Sequence, residues 1–167
     1  MAEFMTGLKR SNYCGELRIE DCGKKVTVFG WVQRQRDLGQ LIFIDLRDRT
    51  GIVQLALDDT TNKEIFEKAS TVKSEYVLGV VGTVKERSAK TNKIATGDIE
   101  IEVKDLRIVG VSETPPFEIV ENCQTSEVTR LKYRYLDLRN PKNHDNLVKR
   151  SMIIRHLRNK MEEKGYS

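Results

Sequence analysis

A mainly β fold is what this sequence predicts: a five-stranded barrel with one helix between its third and fourth strands, then a short helical hinge and a C-terminal helix. Three observations predict it. Between Lys25 and Gly110, five stretches are rich in β-branched, aliphatic and aromatic residues. Among them only the segment 62–72 carries apolar residues at helical spacing. The polar tracts in between hold turn-forming Asp, Gly and Thr.

The first strand is read from Val26-Thr-Val-Phe-Gly-Trp-Val32, with Gly30 marking a bulge or bend. Leu41 to Arg47 is the second, after a polar loop that holds Gly39. Asp48-Arg-Thr-Gly51 is a tight-turn signal that joins it to a third, Ile52 to Leu57. The helix from about Asn62 to Val72 places Ile65, Phe66 and Ala69 on one face. Glu75 to Val84 is the fourth strand, and Asp98 to Val103, continuing to Ile108, is the fifth. The polar stretch Lys85 to Thr96 reads as a mobile hairpin loop. Three strands, a helix and two further strands is the order of an OB-fold, a Greek-key barrel whose strand 2–3 face and adjoining loops bind oligonucleotides. Thr114-Pro-Pro-Phe117 breaks regular structure and marks a boundary. Helical pattern returns from Thr125 to about Leu138 and is interrupted at Pro141. A second helix follows from about Asp145 to Lys164, with Leu147, Ile154, Leu157 and Met161 on one face and Gly165 as terminator.

Composition narrows the function classes. The 167 residues are 38% hydrophobic and 32% charged, and no apolar run approaches the length that spans a bilayer. The start lacks the apolar stretch of a secretory signal, so a cytoplasmic protein is expected. Met1-Ala-Glu-Phe before Met5 resembles an expression scar, and residues 1–8 are set aside as a disordered start. Three cysteines, Cys14, Cys22 and Cys123, give no paired framework, and His144 and His156 lie in a different region, so no metal is expected. Net charge is +4, concentrated late: from Thr125 to Ser167, eleven Lys and Arg stand against five Asp and Glu. That stretch suits contact with phosphate, although a solvated helical surface would look the same.

Alternation along the second strand sets the candidate site. Ile42, Ile44 and Leu46 share one face, and Leu41, Phe43, Asp45 and Arg47 share the other. If the aliphatic face fills the barrel, Phe43 points outward. Val53, Leu55 and Leu57 are the inward set of the third strand, which turns Gln54 outward beside Phe43 across the hairpin. An aromatic ring there stacks on a nucleobase, and a neighbouring amide reads a base edge. The competing reading packs Phe43 against a flanking helix or leaves it half-buried on the sheet. Arg34 and Arg36 end the first strand and can hold phosphates or stack on splayed bases; Arg87 and Lys85 follow the fourth strand with the same potential. Asp45, Asp48 and Glu100 have no nucleophile or pocket to serve: Asp48 reads as a turn residue, Asp45 as a partner for an arginine. No phosphate-cradling glycine loop and no Ser-His-acid set is present, so no catalytic residue is assigned.

The run Gly30 to Gln54, written GWVQRQRDLGQLIFIDLRDRTGIVQ, closely resembles the start of bacterial-type aspartyl-tRNA synthetases, as does Tyr13-Cys-Gly-Glu-Leu17. Arg130-Leu-Lys-Tyr-Arg-Tyr-Leu-Asp-Leu-Arg139 is similar to the hinge that joins their anticodon domain to their catalytic domain. Two long motifs in the right order make the resemblance specific, and it runs through nearly the whole chain from about Lys9. It implies that the barrel grips a tRNA anticodon, that Phe43 stacks on the middle base, and that Gln54 and Arg36 contact anticodon bases. Arg34 and Arg87 are carried as weaker contacts. The family has arginines where Gln35 and Asn140 stand, so no backbone contact is assigned to those two positions.

By this resemblance the domains expected are an OB-fold anticodon-binding domain over 9–111, a linker and hinge over 112–143, and the start of a class II catalytic domain over 144–167. The last helix is similar to the first motif of that domain, which contributes to a dimer interface. The full-length enzyme implied is a homodimer that attaches aspartate to tRNA(Asp) with ATP and Mg2+. This chain by itself, lacking the ATP- and aspartate-binding residues, is expected to bind the anticodon as a monomer, without cofactor and without aminoacylation. The alternatives are a stand-alone OB-fold module for single-stranded nucleic acid, and a lysyl- or asparaginyl-specific relative. The hinge motif speaks against the first and the run Arg36 to Arg47 against the second.

Overall fold

The computed structural model describes residues 3–166, which form two compact units divided at Thr114 and Pro115. The first unit is a closed barrel. Its strands are β1 (Lys25–Asp37), β2 (Ile42–Asp48), β3 (Gly51–Leu57), β4 (Val77–Glu86) and β5 (Ile99–Gly110), with the helix α1 (Lys63–Ser70) between β3 and β4. Around the barrel the order is β1-β2-β3-β5-β4, closed by the antiparallel pairing of β1 with β4. All seams are antiparallel except β3 with β5, which pair in parallel over only Gln54–Glu100, Leu55–Ile101 and Ala56–Glu102.

Alternation dictates what fills the barrel. Ile42, Ile44 and Leu46 from β2 and Val53, Leu55 and Leu57 from β3 are all fully buried. They meet Val28 and Val32 of β1, Leu78, Val80 and Val84 of β4, and Ile99, Ile101 and Leu106 of β5 in one core. Burial of each such side chain contributes about 1.5–3 kcal/mol. Asn62 starts α1 by accepting the backbone N–H of Glu64, and Ala69 and Val72 seal that end of the core.

The first strand runs past its apolar stretch through Arg34 and Arg36, as expected, and ends one residue later at Asp37, with β2 supplying hydrogen-bonding partners to this polar end. The register shift falls between Val32 and Arg34, not at Gly30. Gly30 serves a close approach instead: a Cβ there would stand 2.3 Å from the Arg47 carbonyl oxygen. The loop between β4 and β5 is anchored at its far end. Thr96 is buried with its hydroxyl donating to the Ile52 carbonyl, and the Thr91 N–H donates to Gly97.

A short 3-10 turn, Cys14–Glu16, lies against the β2–β3 turn. The Cys14 N–H donates to the Asp48 carboxylate at 2.7 Å and the Gly15 N–H to the Thr50 hydroxyl at 2.8 Å. Of the start expected to be disordered, residues 1 and 2 lie outside the described residues. Glu3 exchanges hydrogen bonds with the Ile108 backbone and pairs with Lys68, and Arg107 donates to the Phe4 and Thr6 carbonyls.

The second unit is helical: α2 (Glu127–Lys132), α3 (Arg134–Asp137) and α4 (Pro141–Glu163). The single hinge helix expected is broken at Tyr133, whose backbone leaves the helical region at φ −109, ψ 46. Pro141 does not interrupt a helix but opens one, at the first position where its missing N–H costs nothing. Asn140 caps it by accepting the Lys142 N–H at 3.0 Å, and its amide also donates to the Val120 and Glu121 carbonyls. Beside it Asp137, 3% exposed, accepts from Arg130, Arg134 and Asn143. α4 buries none of its own residues; Leu147, Ile154, Leu157 and Met161 are all exposed. Among the described residues no helix is long and apolar enough to cross a membrane.

Candidate nucleic-acid interface

Strand register assembles the outer face of the barrel into two cross-strand rows. One row runs Arg34, Asp45, Gln54 and Glu100, with Lys85 paired to Glu100 at its end. The next runs Arg36, Phe43, Ala56 and Glu102. Four of the five sequence-derived candidates, Arg36, Phe43, Gln54 and Arg87, come together within this patch.

Phe43 is half-buried on the outer face, with its neighbours Ile42 and Ile44 turned into the core. The Arg36 guanidinium carbon stands 5.3 Å from its ring centroid, close enough for a cation–π attraction of about 0.5–1 kcal/mol. Ala56, directly opposite in the ladder, is the smallest side chain on this part of the face. One flank of the ring is therefore not walled in by a bulky neighbour.

Gln54 is turned to this face as its alternation requires, but it is not freely displayed. It is 3% exposed, covered by the long side chains around it. Its amide oxygen accepts from Arg36 at 3.0 Å and also from Arg87, and its amide nitrogen donates to Glu100 at 2.9 Å. Arg36 reaches further to Asp45 at 3.4 Å, while its Nε is buried without a hydrogen-bond partner. These contacts fix which end of the Gln54 amide points where, and they bring Arg87 from the end of β4 into the patch. Sequence reasoning missed Glu100 as a member of this network. Alternation of Ile99, Ile101 and Val103 puts Glu100 and Glu102 outward, but only the parallel seam sets Glu100 beside Gln54, 46 positions away in the chain.

Arg34 is exposed, and its side chain has no hydrogen bond or ion pair among the described residues. It lies in register with Asp45 at the margin of the patch. Gln35 turns to the opposite side and donates to the Ala69 and Ser70 carbonyls, closing the open C-terminal end of α1. Lys85 and Lys104 both clasp Glu102, at 2.8 and 2.9 Å. The hydrogen bond from Lys85, then that from Lys104, holds the Glu102 carboxyl below its usual range, and the same Lys85 bond raises the lysine. The patch therefore carries its acids already paired, and its chemistry is that of a recognition surface: a ring, an oriented amide and guanidinium groups. Among the described residues no three His, Cys, Asp or Glu side chains group as metal ligands.

Comparison with known proteins supports the fold. The family described as OB-fold nucleic acid binding domain matches residues 26–109, the span of the five barrel strands. The family described as tRNA synthetases class II (D, K and N) matches residues 126–167. Over 99% of its length the chain is 52% identical to the aspartate–tRNA ligase of Ruminiclostridium cellulolyticum. It is 50% identical to the aspartate–tRNA(Asp/Asn) ligase of Caldanaerobacter subterraneus, again over 99% of its length. In both cases it spans 28% of the relative's length. Among solved structures, asparaginyl-tRNA synthetase from Pyrococcus horikoshii in complex with asparaginyl-adenylate aligns at 34% identity with a TM-score of 0.75, covering 95% of this chain and 35% of that one. Aspartyl tRNA synthetase from Entamoeba histolytica aligns with a TM-score of 0.83 at 24% identity, covering 96% of this chain and 38% of that one, which shows the shared fold. The chain thus belongs to the OB-fold nucleic acid binding domain family, as a homologue of a stretch of bacterial aspartate–tRNA ligases.

Proposed function

We propose that this chain is the anticodon-binding part of an aspartate–tRNA ligase, with Phe43, Gln54 and Arg36 reading the loop of tRNA(Asp) and Arg34 and Arg87 flanking it. One observation carries the reading: an outward aromatic ring, an oriented amide and two guanidinium groups share one patch on the strand 2–3 face of an OB-fold. In this reading Phe43 stacks on the middle anticodon base, the contact that contributes most to single-strand affinity. Gln54 and Arg36 reach base edges, which supplies selectivity.

Residues 9–111 form the anticodon module in this proposal, 112–143 the hinge, and 144–167 the opening of a class II catalytic domain. The ligase as a whole uses ATP and Mg2+ to activate aspartate and then transfers it to tRNA; it works as a cytoplasmic homodimer. This polypeptide alone binds the anticodon and forms no aspartyl-adenylate. The test is the dissociation constant for an anticodon stem-loop of tRNA(Asp) against the same stem-loop with its middle anticodon base changed, at fixed salt. Preference for the native base by about tenfold or more is expected, the size of one lost stacking or base-edge interaction. Equal affinity overturns the reading in favour of a stand-alone module for single-stranded nucleic acid.

A further inference from the structure

A second cluster, away from the base-reading patch, pairs an aromatic ring with unneutralised charge. Tyr13, which precedes the 3-10 turn, is half-buried. The guanidinium carbon of Arg10 stands 4.6 Å from its ring centroid and that of Arg49 stands 4.5 Å from the same centroid. Arg49 also donates to the Tyr13 hydroxyl at 2.9 Å, and Arg10 to the Phe29 carbonyl at 3.4 Å. Both arginines are exposed, and neither makes an ion pair with a carboxylate among the described residues. Two acids adjoining these segments in sequence are already engaged. Asp48 accepts the Cys14 N–H and both the N–H and hydroxyl of Thr50, and Glu16 turns back to the Tyr13 N–H.

Two like charges on one ring repel, and the geometry keeps their guanidinium carbons no more than about 9 Å apart. The ring holds both guanidinium groups close together, and the donors not spent on Tyr13 and Phe29 suit a planar or tetrahedral oxyanion. β2 connects this cluster to the base-reading patch: Arg49 follows Phe43 by six positions, about 20 Å of extended chain.

We propose that Arg10 and Arg49, braced on Tyr13, bind a backbone phosphate of the same RNA whose loop bases meet Phe43, in the stem that flanks the loop. The proposal rests on the nucleic-acid reading above but concerns a different contact. It predicts sequence-independent affinity with strong salt dependence, in contrast to the base selectivity of the patch.

The experiment measures binding of this chain to two RNAs across a salt series: the anticodon stem-loop, and the isolated loop oligonucleotide without a stem. For the variant Arg10→Gln/Arg49→Gln, stem-loop affinity should fall about fivefold or more, and its log–log salt slope by about 0.7–0.9 for each phosphate that is no longer neutralised, with loop binding unchanged. Arg10→Lys/Arg49→Lys should keep most of the slope, which guards against a folding defect, and thermal melting of each variant supplies the second check. Phe43→Ala should show the reverse pattern, weakening loop and stem-loop alike, so the two sites fail separately. Unchanged stem-loop affinity and slope in the glutamine variant would overturn the proposal. So would displacement of the stem-loop by oligoglutamate or inorganic phosphate at comparable charge concentration, since that marks a general anion patch.

Discussion

Arg36 and Phe43 face each other across the β1–β2 ladder, with the guanidinium carbon 5.3 Å from the ring centroid. The pairing puts the ring next to a cation that also holds Gln54, so in the proposed function base stacking and base-edge selectivity share one scaffold. Phe43→Ala should cost about 1–3 kcal/mol of affinity for the stem-loop and leave the fold intact, because the ring lies outside the core. Isothermal calorimetry at fixed salt measures it; an unaltered dissociation constant removes the ring from the binding reaction.

Gln54→Leu tests the amide. Substitution leaves the Arg36, Arg87 and Glu100 side chains without their shared partner, at a position only 3% exposed. Loss of about 1–3 kcal/mol in urea unfolding is expected together with relaxed discrimination at one anticodon base. A variant that is fully stable would mean that the network rearranges at no cost.

Acid sensitivity should trace to Asp48. Burial opposes its ionised form, but hydrogen bonds from the Cys14 N–H and from the Thr50 hydroxyl and N–H outweigh that and lower its pKa from 3.8. A carboxyl depressed in the folded state contributes stability that is fully present above its unfolded value and is lost as pH falls through the folded one. Melting temperature should therefore decline below about pH 4, and Asp48→Asn should be less stable at neutral pH with a flatter acid limb. Parallel profiles for the two proteins would assign the acid loss elsewhere.

Thiol labelling separates the cysteines. Cys14 is fully buried, and burial, followed by the nearby Asp48 charge, pushes its thiol far above the ordinary range. Cys22 is exposed. A disulfide reagent at about pH 8 should modify Cys22 within minutes and Cys14 only on unfolding, as mass spectrometry of tryptic peptides would show. Rapid labelling of Cys14 would mean that the 3-10 turn opens readily.

Local chemistry made much of this protein legible in its sequence. Period-two alternation in Ile42-Phe-Ile-Asp-Leu46 gives both the core face and the outward ring, because the strand has no other way to bury three aliphatics. Asp48 to Gly51 announces its turn through the Asx geometry that Thr50 completes. What escaped was non-local. The covering of Gln54 comes from Arg87 and Glu100, which sequence pattern cannot place. Pro141 is ambiguous in sequence because the same residue stops a helix from within and starts one from its first turn; Asn140, the capping residue before it, is the signal that separates the two.

The parallel seam between β3 and β5 is the narrowest joint of the barrel, three residue pairs against ten between β4 and β5. The patch around Phe43 lies across it, with Gln54 on one lip and Glu100 on the other. A molecule that grips both lips acts as a clasp. Backbone amides that bond across this short seam should exchange with deuterium sooner than those that bond across the β4–β5 ladder in the free protein, and slow selectively once that molecule is in place.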